Sequence, residues 1–152
     1  MKKWFKVTVK AKAVTPKGTE KKVTEQYAID ALSYTEAEAR AMEIMKDFHN
    51  DFEIAKIDPM KVSEMFICED GGCGDRYFKC KVNYITLDEK SGKEKKTPCY
   101  IYVQANDTKS AEANLVAGMK GSMADWSCEA IVETKIIDVY PYDYKEKAEQ
   151  LS

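Results

Sequence analysis

The feature that most constrains this chain is an internal repeat. Displaced by 74 residues, segment 21–66 lies on 95–140 without a gap, and 11 of 46 positions are identical, among them Ala31/Ala105, Ala37/Ala111, Glu38/Glu112, Met45/Met119, Asp51/Asp125 and Ile57/Ile131. Composition alone would give about three. Mismatches agree in type at Ile29/Val103, Phe52/Trp126 and Phe66/Tyr140. With a shift of 73, Trp4-Phe5-Lys6-Val7 lies on Tyr77-Phe78-Lys79-Cys80. The one-residue change falls in a polar loop, where insertion costs little. A chain so built must fold into two similar units, and a reading that fits one copy must fit the other.

Each copy reads as ββαβ. Phe5, Val7, Val9, Ala11 and Ala13 alternate with polar residues, the period of a half-buried strand, and Phe78, Cys80, Val82 and Tyr84 repeat it. Turn residues follow at Thr15–Gly18 and Asp88–Gly92. A second strand carries Val23, Tyr27, Ile29 and Ala31, matched by Cys99, Ile101, Val103 and Ala105. Ser33 with Glu36 three residues on predicts a capped helix over 34–48, and Asp107 caps its counterpart over 108–120. The last element is extended, 52–67 and 126–140. Asp58-Pro59 suggests a turn in the first copy, but Val132-Glu133 does not in the second. The expectation is one long strand per copy, bent or bulged at that point; its first half can pair in its own sheet and its second half with the other copy, and the sequence leaves open whether the strands are so exchanged.

The predicted fold class is α+β: an internal duplication of a ββαβ unit, with antiparallel sheets, one helix per repeat and pseudo-twofold symmetry. The repeats occupy 1–68 and 76–141, a linker 69–75, and a charged tail 142–152 that could form one short helix. A three-stranded sheet with one helix buries little apolar surface, so the repeats are expected to share a core.

Composition narrows the function classes. Charged residues make up 33%, and the net charge of −2 supplies no bulk attraction to nucleic acid or anionic membrane. No apolar run nears the roughly 20 residues of a membrane span. Lysines at 6, 10 and 12 interrupt any signal-like apolar stretch, so a cytoplasmic location and no membrane partner are expected. Five cysteines at irregular spacing read as reduced thiols, not as a disulfide framework. Cys68, Cys73 and Cys80 lack the paired C-x-x-C spacing of zinc sites, and no metal or cofactor is expected.

His49 is the single histidine and reads as a solvated helix-end residue. Without a second orienting group it builds no triad. Gly71-Gly72-Cys73-Gly74 lacks the lysine and strand–helix setting of a phosphate loop. The chain is therefore expected not to be an enzyme. The more suggestive surface is the outward face of each first strand: Trp4, Lys6, Thr8, Lys10 and Lys12, and Tyr77, Lys79, Lys81 and Asn83. Aromatics interleaved with lysines can stack bases and pair phosphates of single-stranded nucleic acid. The bland alternative is an ordinary exposed sheet face whose lysines discourage edge pairing.

Segment 22–40, Lys22-Val23-Thr24-Glu25-Gln26-Tyr27-Ala28-Ile29-Asp30-Ala31-Leu32-Ser33-Tyr34-Thr35-Glu36-Ala37-Glu38-Ala39-Arg40, resembles the K-V-T-E-x-Y-L-V-D-A-x-S-F-T-E-A-E-A-R pattern of a family of unknown function from Bacteroides-type gut bacteria and their phages. Ala28, Ile29 and Tyr34 replace Leu, Val and Phe of that pattern. The likeness covers most of the first copy and brings no catalytic residues. It implies a non-enzymatic accessory module of a phage or mobile element, binding an unidentified protein partner or itself. Single-stranded nucleic-acid binding is the competing reading.

Overall fold

A computed structural model of the chain describes residues 3–68 and 72–141. The charged tail and its expected short helix, with linker residues 69–71, lie outside the described residues. The element order is β1 (Lys3–Val14), β2 (Glu20–Ala31), α1 (Tyr34–Lys46), β3 (Phe52–Met60), β4 (Glu64–Phe66), β5 (Arg76–Leu87), β6 (Glu94–Ala105), α2 (Thr108–Gly118), β7 (Asp125–Glu133) and β8 (Ile136–Tyr140). They form two four-stranded sheets, β3-β1-β2-β8 and β7-β5-β6-β4. Mapped through the repeat the two orders are the same, as a duplicated unit requires.

The chain divides into two compact units, residues 1–60 with 136–152, and residues 61–135. The last strand of each copy leaves its own unit. β4, from the first copy, pairs with β6, and β8, from the second, pairs with β2. The expected single long strand is thus two strands in each copy, and the exchange that the sequence left open is present. Three strands of each sheet are antiparallel, and the fourth, exchanged strand runs parallel to its neighbour.

The bend is not where the sequence suggested. β3 runs straight through Asp58-Pro59 to Met60. Proline is tolerated there because β3 is an edge strand, with no ladder on its outer side to interrupt. Between Val9 and Thr8 the register skips Ala55, and between Lys81 and Val82 it skips Glu129. These bulges are equivalent positions of the two copies. The strand ends only at residues 61–63 and 134–135, where the chain passes to the other unit.

In the first unit, Val7, Val9, Tyr27, Ile29, Ala41 and Met45 form the core, with the exchanged Tyr140 packed against it. In the second, Cys80, Val82, Ile101, Val103, Leu115 and Met119 do so, with the exchanged Phe66. Each core therefore contains an aromatic ring from the other copy. Burial of such rings on alternating strand positions and on the i, i+4 positions of each helix is the main stabilising term. The helices begin as their caps dictate. Ser33 Oγ accepts from Glu36 N–H at 3.2 Å, and Asp107 and Ser110 form a reciprocal capping box. No helix among the described residues is long and apolar enough to cross a membrane.

Candidate functional site

The two lysine-bearing faces fare differently from what alternation alone implied. On β1, Trp4 and Lys6 are half-buried, while Lys10 and Lys12 are exposed. Register then decides their electrostatics. Lys6 lies opposite Asp58 and Lys10 opposite Glu53, while Lys12 Nζ is 3.5 Å from Asp51. Each basic position of the stripe thus meets a carboxylate on or beside β3, and cross-strand pairs of opposite charge are mutually stabilising. Asp58 also holds Lys56, at 3.6 Å. Where the face ends, Lys10, Lys12 and Lys22 line a shallow cavity of about 390 Å³ with Asp51, Phe52 and Glu53. Its two acids leave little net positive charge for a phosphate to meet.

On β5, Tyr77 is 6% exposed, too covered to stack on a base. Asn83 is buried as well and donates to Glu129 at 3.0 Å. Lys79 lies over the Tyr100 ring at 4.5 Å, and Lys81 is 3.2 Å from Glu129. The hydrogen bond from Asn83, with the hydrogen bond and charge of Lys81, holds Glu129 below the usual carboxylate range. Lys12 and Lys81 are therefore held in ion pairs and Lys79 on an aromatic ring, while Lys6 and Lys10 lie opposite carboxylates. The carboxylates come from β3, the residue before it and β7, whose register could not be read from the lysine strands.

Sequence reasoning missed a second constellation, in the first unit. His49 is not solvated: its Nε2 lies 2.6 Å from Glu25 Oε1, and both side chains are mostly buried. Tyr27 also hydrogen-bonds Glu25, and Tyr140 hydrogen-bonds Asp138, while the two tyrosine rings lie 6.0 Å apart. Desolvation, reinforced by these carboxylates, raises both phenols, Tyr140 to about 12. Both are thus neutral donors at physiological pH, each to a carboxylate of its own strand, and it is the packing of their rings that joins β8 to β2. The equivalent positions in the second unit are Cys99, Ile101, Met123, Glu64 and Phe66, so the polar network belongs to one copy. Among the described residues no group of three or more His, Cys, Asp or Glu could hold a metal ion.

The cysteines need a correction. Cys68 and Cys73 form a disulfide, with Cα atoms 5.7 Å apart. The expectation of reduced thiols rested on irregular spacing, but β4 and the start of β5 bring these two together. Cys80, Cys99 and Cys128 are free. Burial pushes the Cys80 thiol up to about 12, so it is an inert core residue.

The open sheet edges complete the surface. β3 and β7 are edge strands and occupy equivalent positions. β3 carries Glu53, Lys56, Asp58 and Pro59, where β7 carries Ser127, Ala130, Val132 and Glu133. Val132 is 59% exposed. Charges and proline are the usual means of blunting an edge; both strands carry three charged residues, but β7 has no lysine and no proline, and places Ala130 and Val132 where β3 has Lys56 and Asp58.

Fold and surface together define a class: a tandem-repeat α+β protein whose two units exchange their last strands, with the equivalent edge strands β3 and β7 differing in charge pattern and proline. The chain belongs to the family described as a domain of unknown function (DUF4494), which matches residues 3–142. No curated protein and no solved structure matches it.

Proposed function

We propose that this protein is a non-enzymatic binding module that takes an extended segment of a partner protein as an added strand along β7. The observation that carries the reading is the contrast between the two equivalent edges. One fold and one ancestry give β3 two charged residues and a proline at the positions where β7 has Ala130, Val132 and Glu133. An unguarded edge offers main-chain donors and acceptors for affinity and alternate side chains for selectivity.

Self-association through β7 is the weaker form of this reading. The strand carries Asp125, Glu129 and Glu133 and no basic residue, so an antiparallel pair of copies would bring like charges together. The absence of a convergent acid, base and nucleophile around His49 supports a binding role over catalysis. The setting we infer, an accessory protein of a phage or mobile element, rests on the motif at 22–40, and its cytoplasmic location on the lysines at 6, 10 and 12 that interrupt any signal-like apolar stretch.

The test is selection from a random peptide display library, followed by amide exchange of the full chain with a selected peptide. The reading expects protection along 127–133 and none along β3. The double substitution Ala130→Lys with Val132→Asp copies the residues of β3, a strand that this fold accommodates, and is expected to abolish binding while the chain stays folded. A footprint elsewhere, or unchanged binding in that variant, contradicts the reading. So does oligonucleotide binding that weakens steeply with salt and is lost in Lys6→Glu with Lys79→Glu.

A further inference from the structure

The two exchanged strands are held at their ends by different chemistry. In the first unit Arg40 of α1 donates to the carbonyl of Asp30 at the end of β2. Its guanidinium reaches on to the carbonyls of Tyr140 and Pro141, at 3.4 and 3.3 Å, and so ties down the end of β8. The equivalent of Arg40 in the second unit is Asn114, and that of Asp30 is Gln104. Asn114 Nδ2 keeps the first contact, donating to the Gln104 carbonyl at 2.9 Å. Its shorter side chain carries no second reach toward β4.

A disulfide stands in that place. Cys68, two residues beyond β4, is bonded to Cys73, three residues before β5. The Gln104 side chain clasps both ends of this loop: Oε1 accepts from the Cys68 N–H at 2.9 Å, and Nε2 donates to the Gly74 carbonyl at 2.7 Å. Gln104 is only 6% exposed, so its amide is committed to this contact. Gly74 lies so close to Ala105 that an added Cβ would sit 2.3 Å from its carbonyl carbon. Gln104, Gly74 and Ala105 thus form a built seat for the cysteine pair. β4 makes three register pairs with β6, against four between the longer β8 and β2.

We propose that Cys68–Cys73 is a reversible disulfide that latches the exchanged strand β4 to the second unit, where the first unit uses Arg40. The reductant is a dithiol of the thioredoxin or dithiothreitol class. One of its thiolates attacks a sulfur of the pair, giving a mixed disulfide and one cysteine thiolate. The second thiol then displaces the other cysteine. The protein gains two electrons and two protons, the dithiol becomes a disulfide, and nothing else is consumed. The reverse exchange with oxidised glutathione closes the latch and yields two reduced glutathione molecules. Opening it loosens β4 and leaves β8 untouched.

The test is amide exchange of the full chain, oxidised with glutathione disulfide and then reduced with dithiothreitol, with differential alkylation to read each cysteine. The oxidised sample is expected to protect Cys68 and Cys73 from alkylation. Reduction is expected to speed exchange in 64–68 by about tenfold or more, with no change in 136–140. Cys68→Ser with Cys73→Ser should show the fast rate in either buffer, and adding Asn114→Arg to it should restore part of the protection. Alkylation of both cysteines in the oxidised sample, or equal exchange of 64–68 in the two states, overturns the proposal.

Discussion

The ring of Tyr140, at the end of the last strand, lies 6.0 Å from that of Tyr27 in the second strand, so the two ends of the described chain meet inside one sheet. Phe66 repeats the relationship in the other unit, where it lies against Gly118 of α2. An added Cβ at Gly118 would approach the Phe66 ring to 2.5 Å. In the native background Gly118→Ala is therefore expected to destabilise by about 1 kcal/mol, because overpacking outweighs the gain in helix propensity. Phe66→Ala alone should cost about 2 kcal/mol. In the double variant the sign of Gly118→Ala should reverse, since the ring is gone and only the propensity gain remains. A denaturant double-mutant cycle reads this coupling.

Gly74 has φ +139°, and the Cβ of a substituent would strike the backbone of Ala105 and Asn106. Backbone cannot swing aside as a side-chain tip can. Gly74→Ala is expected to cost about 3 kcal/mol, whereas Gly18→Ala, in a turn with open space around it, should cost about 1 kcal/mol. Thermal or denaturant unfolding of the two variants compares them directly.

Alkaline stability follows from the two tyrosines that face each other across β2 and β8. Their phenols titrate above the ordinary value of 10.0, chiefly through burial, with Tyr140 at about 12 and Tyr27 higher still. The unfolded chain therefore releases these protons first. Stability is full below pH 10 and falls as pH rises through about 12. Tyr27→Phe with Tyr140→Phe should flatten that loss, measured as the midpoint of urea unfolding between pH 9 and pH 12.

Much of this architecture was legible because the chain states it twice. The period of two in β1 and β5, the caps at Ser33 and Asp107, and the mismatch between Asp58-Pro59 and Val132-Glu133 together implied two strands, a helix and a long extended last segment in each copy, without deciding which copy that segment joins. Other features were not legible, for physical reasons. The bulges fall at Ala55 and Glu129, which have no special backbone preference. The parallel sense of β4 and β8 is set by pairing with a strand of the other copy, which local sequence does not encode. His49 looked solvated because Glu25, its partner, is a strand residue with no local relation to it. The lysine stripe looked free because the carboxylates beside it come from β3 and β7, and their register is set by bulges. Cys68 and Cys73 looked unpaired because their approach depends on β4 joining the second unit.

The edge contrast yields a prediction independent of any partner. β7 pairs with β5 on one side only, and Ala130 and Val132 sit where β3 has Lys56 and Asp58. Copying those charges into β7 should raise the protein concentration at which heated samples aggregate. Placing Ala and Val into β3 by Lys56→Ala with Asp58→Val should lower it. Light scattering during a thermal ramp checks both, and an unchanged onset in the two variants would count against β7 as an open edge.

The exchange of last strands underlies the edges, the cores and the latch, and solution NMR tests it most directly. In the full chain at micromolar concentration, cross-strand contacts are expected between Ala28 and Val139 and between Met65 and Tyr102, with ring contacts between Tyr27 and Tyr140. A mixed sample of differently labelled chains should show these contacts within one chain. Contacts of β4 with β2, or of β8 with β6, would place each last strand in its own repeat and contradict the account.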